Sequence, residues 1–401
     1  MFSFTSPRTP PTAKDDDLSF LRLIRSRRVG PTTFHRLVAE HGSAAAALDA
    51  LPDIARGAGV KEYSPCTEAA ALAELKAGRK GNAILIRCDS PEYPAALREI
   101  PDAPPVLWVK GNAAALSHPT IAVIGARNAS SLGLRMARGM ASALAEAGNT
   151  VIAGLARGID TAAHEASVKH GTVAVIAGGI DQIYPVENKV LAATICDRGC
   201  LISEQPPGVA PVARHFPLRN RIISGLAQGV VIIEAAVKSG SLITARNALD
   251  QGREVLAVPG HPVDGRAGGC NQLIRDGAIL VRNADDVLEA IPALSTERQA
   301  GAAQLSSTAA TTPLPAQRQR ETSAMAAIAP RSPALPLPPR KAQNAATLES
   351  QVLAHLSPNP IEEDSLIRDL GVPASILSPV LVQLELAGKL TRMAGGRISL
   401  Q

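Results

Sequence analysis

The stretch Thr120-Ile-Ala-Val-Ile-Gly-Ala-Arg-Asn-Ala-Ser-Ser131 decides how this chain is read. Residues 121–124 are a short, unbroken apolar run with β-branched side chains, the pattern of a strand buried on both faces of a parallel sheet. Gly125 breaks the run and a polar loop follows. From 132 to 147 the apolar spacing turns helical, and Gly148 closes it. A buried strand, a glycine turn and a helix N-terminus together offer a seat for phosphate. The free N–H groups of the first turn point outward, and the helix dipole favours an anion there. Arg127 adds a fixed positive charge able to grip phosphate in bidentate fashion. The same residues also suit a turn that merely caps the sheet, with Arg127 in solvent.

Other nucleotide motifs are missing from the stretch. Gly125-x-Arg127 lacks the second glycine of Gly-x-Gly-x-x-Gly. No Asp or Glu ends the next apolar run, Thr150-Val-Ile-Ala-Gly154, where a ribose-binding acid would sit. Gly-x-x-x-x-Gly-Lys-Ser/Thr is absent, which argues against a P-loop ATPase.

A length of 401 residues suggests two or three domains. Lys and Arg number 41 against 36 Asp and Glu, a mild excess that permits an anionic partner without demanding one. Aromatic residues make up 2 %, too few for a broad base-stacking platform, so contact with a nucleic acid would lean on its backbone. Cys66, Cys88, Cys196, Cys200 and Cys270 are an odd, scattered set that suits a reducing, cytoplasmic setting. Cys196 and Cys200 share at most an i, i+4 face and no His accompanies them, so no metal site is expected. Residues 1–14 are rich in Pro and Thr and read as a disordered N-terminus, neither a signal peptide nor a membrane anchor. No run of about 18 apolar residues follows.

From residue 15 to 78 the pattern is helical. Asp15-Asp-Asp17 precedes apolar Leu18, Leu21, Leu23 and Ile24. Gly30-Pro31 is a tight turn, with Pro31 suited to open the next helix. Two short helices around Val-Gly-Pro resemble a helix-hairpin-helix (or SAM-like) module. Its amides, helped by Arg25, Arg27 and Arg28, could hold DNA phosphates, or the module could serve only for packing or protein contact.

Residues 79–295 alternate. Strand runs are expected at 83–86, 106–109, 121–124, 150–153, 172–177, 200–203, 230–233 and 254–258, with helical stretches between most of those after 121. This is the signature of an α/β fold, an extended Rossmann-like, doubly wound parallel sheet. Ligands on such sheets sit beyond the C-terminal ends of the strands. Those ends carry Gly154-Leu-Ala-Arg-Gly-Ile-Asp160, Gly178-Gly179, Glu204-Gln-Pro-Pro-Gly208, Glu234-Ala-Ala-Val-Lys-Ser-Gly-Ser241 and Pro259-Gly-His-Pro262. They are small, polar or cationic, as an anion groove needs. Asp160 is placed to cap the helix that follows it. Within Arg214-His-Phe-Pro-Leu-Arg-Asn-Arg221, an aromatic beside cations could stack a base while its neighbours hold phosphate. Arg219 and Arg221 stand two apart and cannot share a helix face. One is expected toward ligand and the other toward a carboxylate such as Glu234 or Asp160, unless both are internal ion pairs.

Residues 296–343 read as a flexible linker rich in Ala, Pro, Ser, Thr and Gln. Residues 344–401 hold three helical stretches, 347–356, 361–371 and 373–388, and a hairpin around Ala394-Gly-Gly396. This is a C-terminal winged helix, whose third helix is poor in cations and so favours protein contact or tethering over DNA.

The motifs Ile-Gly-Ala-Arg (124–127), Gly-Leu-Ala-Arg-Gly-Ile-Asp (154–160), Phe-Pro-Leu-Arg-Asn-Arg-Ile-Ile-Ser-Gly-Leu (216–226), Glu-Ala (234–235), Ser-Gly-Ser-Leu-Ile-Thr-Ala (239–245), Val-Pro-Gly (258–260) and Asn-Gln-Leu-Ile-Arg-Asp-Gly-Ala (271–278) closely resemble the DprA/Smf DNA-processing family. The resemblance implies an extended Rossmann fold that binds single-stranded DNA without cutting it, with no catalytic residue, metal or cofactor. It implies a homodimer that protects incoming DNA and helps load RecA recombinase during natural transformation and recombination. By the same resemblance, Gly125, Ala126 and Arg127 with Ser130 and Ser131 hold phosphate in a first pocket. Gly154, Ala156 and Gly158 line it, and Arg214, Phe216, Arg219, Asn220 and Arg221 form the adjoining basic wall. Some relatives carry a DNA-binding Lys in the Tyr-Pro loop, where this chain has Glu187, and Cys270 stands where Thr is common. Two other classes remain to be weighed. One is a nucleotide N-glycosidase of the related lysine-decarboxylase-like group, using Glu204, Glu234, Asp160 or His164, although no spacing sets two of these around one bond. The other is a nucleotide sensor with no DNA role.

Overall fold

The computed structural model describes residues 16–60, 62–291, 345–356, 361–386, 389–393 and 397–400. The two stretches expected to be disordered, 1–14 and 296–343, lie outside these residues. The chain divides into two units, Met1–Pro313 and Leu314–Gln401.

In the first unit, helix α1 (Asp17–Arg25) starts at Asp16, whose carboxylate accepts from Ser19 N at 2.7 Å. Pro31 opens α2 (Pro31–His41), as its fixed φ favours. Ser43 and Thr67 cap α3 (Ala44–Gly57) and α4 (Glu68–Lys80). The apolar faces of α1 to α3 bury Phe20, Leu23, Phe34, Leu37, Leu48 and Leu51, and this core runs on without a break into the sheet. The join has a polar bolt. Glu74 of α4 accepts from Trp108 Nε1 at 2.9 Å and from Arg25 Nη2 at 2.9 Å. Arg25 therefore turns inward and does not serve the helix-hairpin-helix surface expected of it.

The sheet contains β1 (Ala83–Arg87), β2 (Val106–Gly111), β3 (Thr120–Gly125), β4 (Thr150–Ala153), β5 (Thr172–Val175), β6 (Cys200–Ser203), β7 (Gly229–Ile233), β8 (Glu254–Ala257) and β9 (Ile279–Leu280). Its nine strands run in the order β1-β2-β6-β5-β4-β3-β7-β8-β9. From β6 to β9 the pairing is parallel, while β2 joins β6, and β1 joins β2, antiparallel. The helices are α5 (Ala95–Arg98), α6 (Ser131–Glu146), α7 (Ile159–Ser167), α8 (Lys189–Arg198), α9 (His215–Leu226), α10 (Ser241–Asp250), α11 (Gly268–Arg275) and α12 (Ala284–Ala290).

Strand residues alternate between two helical layers, as period-2 geometry requires. Ile121 and Val123 pack with Met140 and Leu144 of α6, Ile159 of α7 and Val287 of α12. Ala122 and Ile124 belong to the core of the other face, with Ile222 and Ile223 of α9, Ala245 of α10 and Cys270 of α11. Burial on both faces explains why the run from 121 to 124 is apolar throughout.

The chain steps from β3 through β4 and β5 to β6, then returns to place β7 on the other side of β3. That reversal is the switch point where doubly wound sheets bind ligands. Gly125 makes the approach possible, since a Cβ there would lie 1.8 Å from the carbonyl oxygen of Ile233 on β7.

The second unit contains α13 (Ala345–His355), β10 (Ile361–Glu362), α14 (Glu363–Leu370), α15 (Ala374–Leu386), β11 (Leu390–Met393) and β12 (Arg397–Leu400). Its three-stranded sheet has the order β10-β12-β11, and its core gathers Leu348, Val352, Leu366, Leu377, Leu381, Leu384, Leu390 and Ile398. This is the expected winged helix. One detail differs: residues 361 and 362, read as helical, pair with β12 as a strand. Among the described residues, no helix is long and apolar enough to cross a membrane.

Candidate nucleic-acid interface

Helix α6 begins close to where the sequence placed it, with Ser130 as N-cap and its Oγ accepting from Gly133 N at 3.0 Å. The anion at its first turn, however, is the protein's own. Glu234 Oε2 accepts from Ser130 N at 2.8 Å, and Ser130 Oγ donates to Glu234 Oε1. Glu234 follows β7 in the left-handed region, with φ 53°, a conformation uncommon for a residue with a side chain. Gly133 leaves room for the carboxylate: a Cβ there would lie 2.5 Å from Glu234 Cδ. Negative charge is favoured at a helix N-terminus, and Glu234 supplies it. Ser130 and Ser131, expected on phosphate, line neither of the two cavities described next, and Ser130 is engaged in an internal cap.

A groove of about 640 Å³ opens at the switch point between β3 and β7. Gly125, Ala126 and Arg127 line it after β3, Ala156 and Asp160 after β4, and Phe216, Arg219 and Asn220 from α9. The loop from Lys238 to Ser241 and the side chain of Arg266 complete the wall. Its charged lining is therefore Arg127, Arg219, Lys238 and Arg266 against the single carboxylate of Asp160. A narrower slot adjoins it, walled by Gly154, Arg157, Tyr184, Pro185 and Phe216 along with Arg127 and Arg219. The Arg127 guanidinium stands 5.3 Å from the centroid of the Phe216 ring, within cation–π range. Phe216 in turn meets the edge of Tyr184 at 5.8 Å. The aromatic-beside-cation arrangement read from the sequence is present in space.

Arg219 is the key group of this wall. It is only 6 % exposed, and its guanidinium rests on Gly154, where a Cβ would fall 1.2 Å from Nη1. Glycine at 154 is thus a seat for an arginine. Asp160, close by, accepts from Gly154 N at 2.9 Å and Ala156 N at 3.4 Å. Its carboxylate ties down the loop after β4 instead of capping α7. Burial pushes the Asp160 carboxyl above its ordinary range, opposed by the charge of Arg219. Burial pulls Arg219 down to about 10, which leaves it protonated at neutral pH. Among the described residues Arg219 Nε has no hydrogen-bond partner. Burying that cation beside the one carboxylate of Asp160 is costly, so an anion in the groove would be well received through its charge.

Several expected groups lie elsewhere. Gly158, with φ 75°, is a clamp between loops: a Cβ there would lie 2.3 Å from Ala126 O, and Ile159 N donates to that same oxygen at 3.2 Å. The clamp fixes the loop that carries Arg127. Arg214 is exposed at the start of α9 and lines neither cavity. Arg221 faces away from the groove. Its Nη2 meets Glu204 Oε1 at 2.6 Å and its Nε meets Asp102 Oδ2 at 3.2 Å. The two arginines do face different ways, but the partners of Arg221 are neither Glu234 nor Asp160. Glu187 is paired with Arg157, so the edge of the Tyr-Pro loop offers little net charge. Lys238 and Arg266 were not singled out from sequence. Lys238 stood in a strand-end loop, where the sheet rule points, whereas Arg266 gave no local signal.

The acids and bases of the enzyme reading are dispersed. Glu204 is bound to Arg221 and Glu234 to Ser130. His164 is wholly buried with Nδ1 2.9 Å from Thr172 Oγ1, and burial pulls its pKa down to about 3. Of the four, Asp160 alone lines the groove.

Comparison with known proteins gives a consistent picture. A family profile described as DNA recombination-mediator protein A matches residues 84–292. A DprA-like N-terminal HHH domain profile matches 14–77, and a DprA winged helix domain profile matches 336–396. The DNA processing protein DprA of Streptococcus pneumoniae is 46 % identical over 198 residues, covering 49 % of this chain and 70 % of that protein. The Bacillus subtilis protein of the same name is 43 % identical over 221 residues, 54 % of this chain and 74 % of that one. The X-ray structure of S. pneumoniae DprA aligns with a TM-score of 0.59 at 36 % identity, covering 69 % of this chain and 99 % of that one.

Proposed function

This chain belongs to the DprA/Smf family of DNA-processing proteins, and from that premise we propose that it binds single-stranded DNA in the groove between β3 and β7. The observation that carries the reading is Arg219, a cation buried in the groove wall that lines the same groove as Arg127. In this reading Arg127 and Arg219 donate charge-assisted hydrogen bonds to phosphate oxygens. Displacement of counterions supplies much of the affinity, and sequence is read weakly. Phe216, already against Arg127, stacks one base. In this reading the protein acts as a binder, and the internal engagement of Glu204 with Arg221, Glu234 with Ser130 and His164 with Thr172 favours it over the enzyme reading.

The resemblance to the family supports the finer steps. A homodimer covers the incoming strand, shields it, and passes it to RecA recombinase during transformation and recombination. Sedimentation tests the dimer, and RecA filament assembly on the bound strand tests the transfer.

The groove itself is tested by mobility shift on short single-stranded and duplex DNA across a range of salt. The single strand should bind more tightly. Arg127→Ala should weaken that binding and lower the salt slope by about 0.7. Unchanged affinity and slope would remove Arg127 from the site.

A further inference from the structure

We propose that Arg157 is a further phosphate ligand, which Glu187 holds in reserve and releases when a strand arrives. The proposal rests on the DNA-binding reading above and deepens it.

Three arginines, Arg127, Arg157 and Arg219, and no carboxylate line the narrow slot beside the groove. Arg127 and Arg219 line the groove as well, so Arg157 stands where a strand held by those two enters the slot. Among the described residues Arg157 alone of the three has an ion-pair partner. That partner, Glu187, is not part of the slot wall.

The backbone beneath the pair is fixed. Asp160 accepts from Gly154 N and Ala156 N. Thr161 donates to Ala156 O from its N at 3.1 Å and from its Oγ1 at 2.7 Å. Asn188, next to Glu187, donates from Nδ2 to Leu155 O at 2.9 Å and so ties the two loops together. With both loops held, the pair can open by side-chain motion alone.

The pair is also weak. Its side chains are 64 % and 49 % exposed, and an ion pair so open to solvent contributes little. A phosphate lodged between Arg127 and Arg219 offers Arg157 a second anionic acceptor, which a guanidinium grips in bidentate fashion. Arg157 then exchanges Glu187 for the strand. The broken pair and the repulsion between Glu187 and the strand both count against binding, so Glu187 restrains the affinity of the site.

The test measures oligothymidylate binding across salt for the full chain, for Arg157→Ala, for Glu187→Gln and for the double variant, with Arg127→Ala alongside. Both side chains of the pair are exposed, so the fold should tolerate each change. Glu187→Gln should tighten binding. In that background Arg157→Ala should weaken binding by about tenfold and lower the salt slope by about 0.7. The gain from Glu187→Gln should be about two- to fivefold larger with Arg157 present than in the Arg157→Ala background, the excess being the pair that binding breaks. Equal gains in both backgrounds would show that the pair stays closed and would overturn the exchange. If Arg157→Ala is without effect in the Glu187→Gln background while Arg127→Ala weakens binding, Arg157 is no ligand and the groove reading stands. If Arg127→Ala also binds as wild type, the groove reading fails and takes the proposal with it.

Discussion

Replacing Gly154 by alanine would set a methyl group 1.2 Å from Arg219 Nη1 and 2.3 Å from its Cζ. Ordinary contact begins near 3.4 Å, so the guanidinium must withdraw by about 2 Å. The backbone raises no objection, because Gly154 is not among the glycines with positive φ. The whole effect therefore passes through Arg219. Overpacking at so buried a site costs about 1–3 kcal/mol of stability. Withdrawal also forfeits hydrogen bonds between a charged donor and phosphate, worth about 1.5–3 kcal/mol. That converts to a rise in Kd of roughly 10- to 150-fold. The salt slope should fall as well, by about 0.7, since one cation leaves the strand. Gly139→Ala is the control. It lies in α6 with nothing within 4 Å of the added Cβ, so it should stabilise by about 0.5–1 kcal/mol and leave binding alone. Fluorescence anisotropy with an oligothymidylate at several salt concentrations reads the binding, and thermal melts read the stability. Wild-type affinity and slope in Gly154→Ala would refute Arg219 as a phosphate ligand.

Arg221→Met should leave the largely enclosed Glu204 carboxylate without its partner and cost about 3 kcal/mol in denaturant titration, yet leave the salt slope of DNA binding unchanged. A lowered slope would return Arg221 to the groove. Glu234→Gln should weaken the cap on α6 and cost about 1–2 kcal/mol in a thermal melt. Mononucleotide turnover that is present in wild type and lost in this variant would instead favour the enzyme reading. His164 has a folded pKa of about 3, below its ordinary 6.5. Its contribution to stability is therefore complete above pH 6.5 and drains away as the pH falls toward 3, by at most about 1.4 kcal/mol per pH unit. The melting temperature of wild type should drop more steeply between pH 6.5 and 4 than that of His164→Gln, and parallel curves would show that His164 does not titrate with unfolding.

Much of the fold was legible because its signals are local. The apolar run from 121 to 124 had to be a strand buried on both faces, and Gly148 marked the end of α6 through its left-handed φ of 89°. Pro31 opened α2 where its geometry allows. The strand β9, two residues long, gave too short a pattern to see. The site was legible only in part. Arg127 stands in a loop that the sheet rule singles out and Phe216 in the first turn of α9, and both line the groove. What failed was everything that depends on a long reach. Glu234 meets Ser130 across 104 residues of sequence, and no spacing could report that a carboxylate fills the first turn of α6. Arg221 finds Glu204 and Asp102, partners that only the packed fold brings to it. Arg219 could be placed near a carboxylate from sequence, but not on the bare face of Gly154.

The central claim is that a DNA strand lies in the groove at the β3–β7 switch point with its phosphates on Arg127 and Arg219. A crystal structure of the chain with an oligothymidylate tests it most directly. The account predicts a phosphate whose oxygens lie within hydrogen-bond distance of both guanidinium groups, with a base against Phe216. A strand bound on another face, with Arg219 still unpaired in an unoccupied groove, would contradict it.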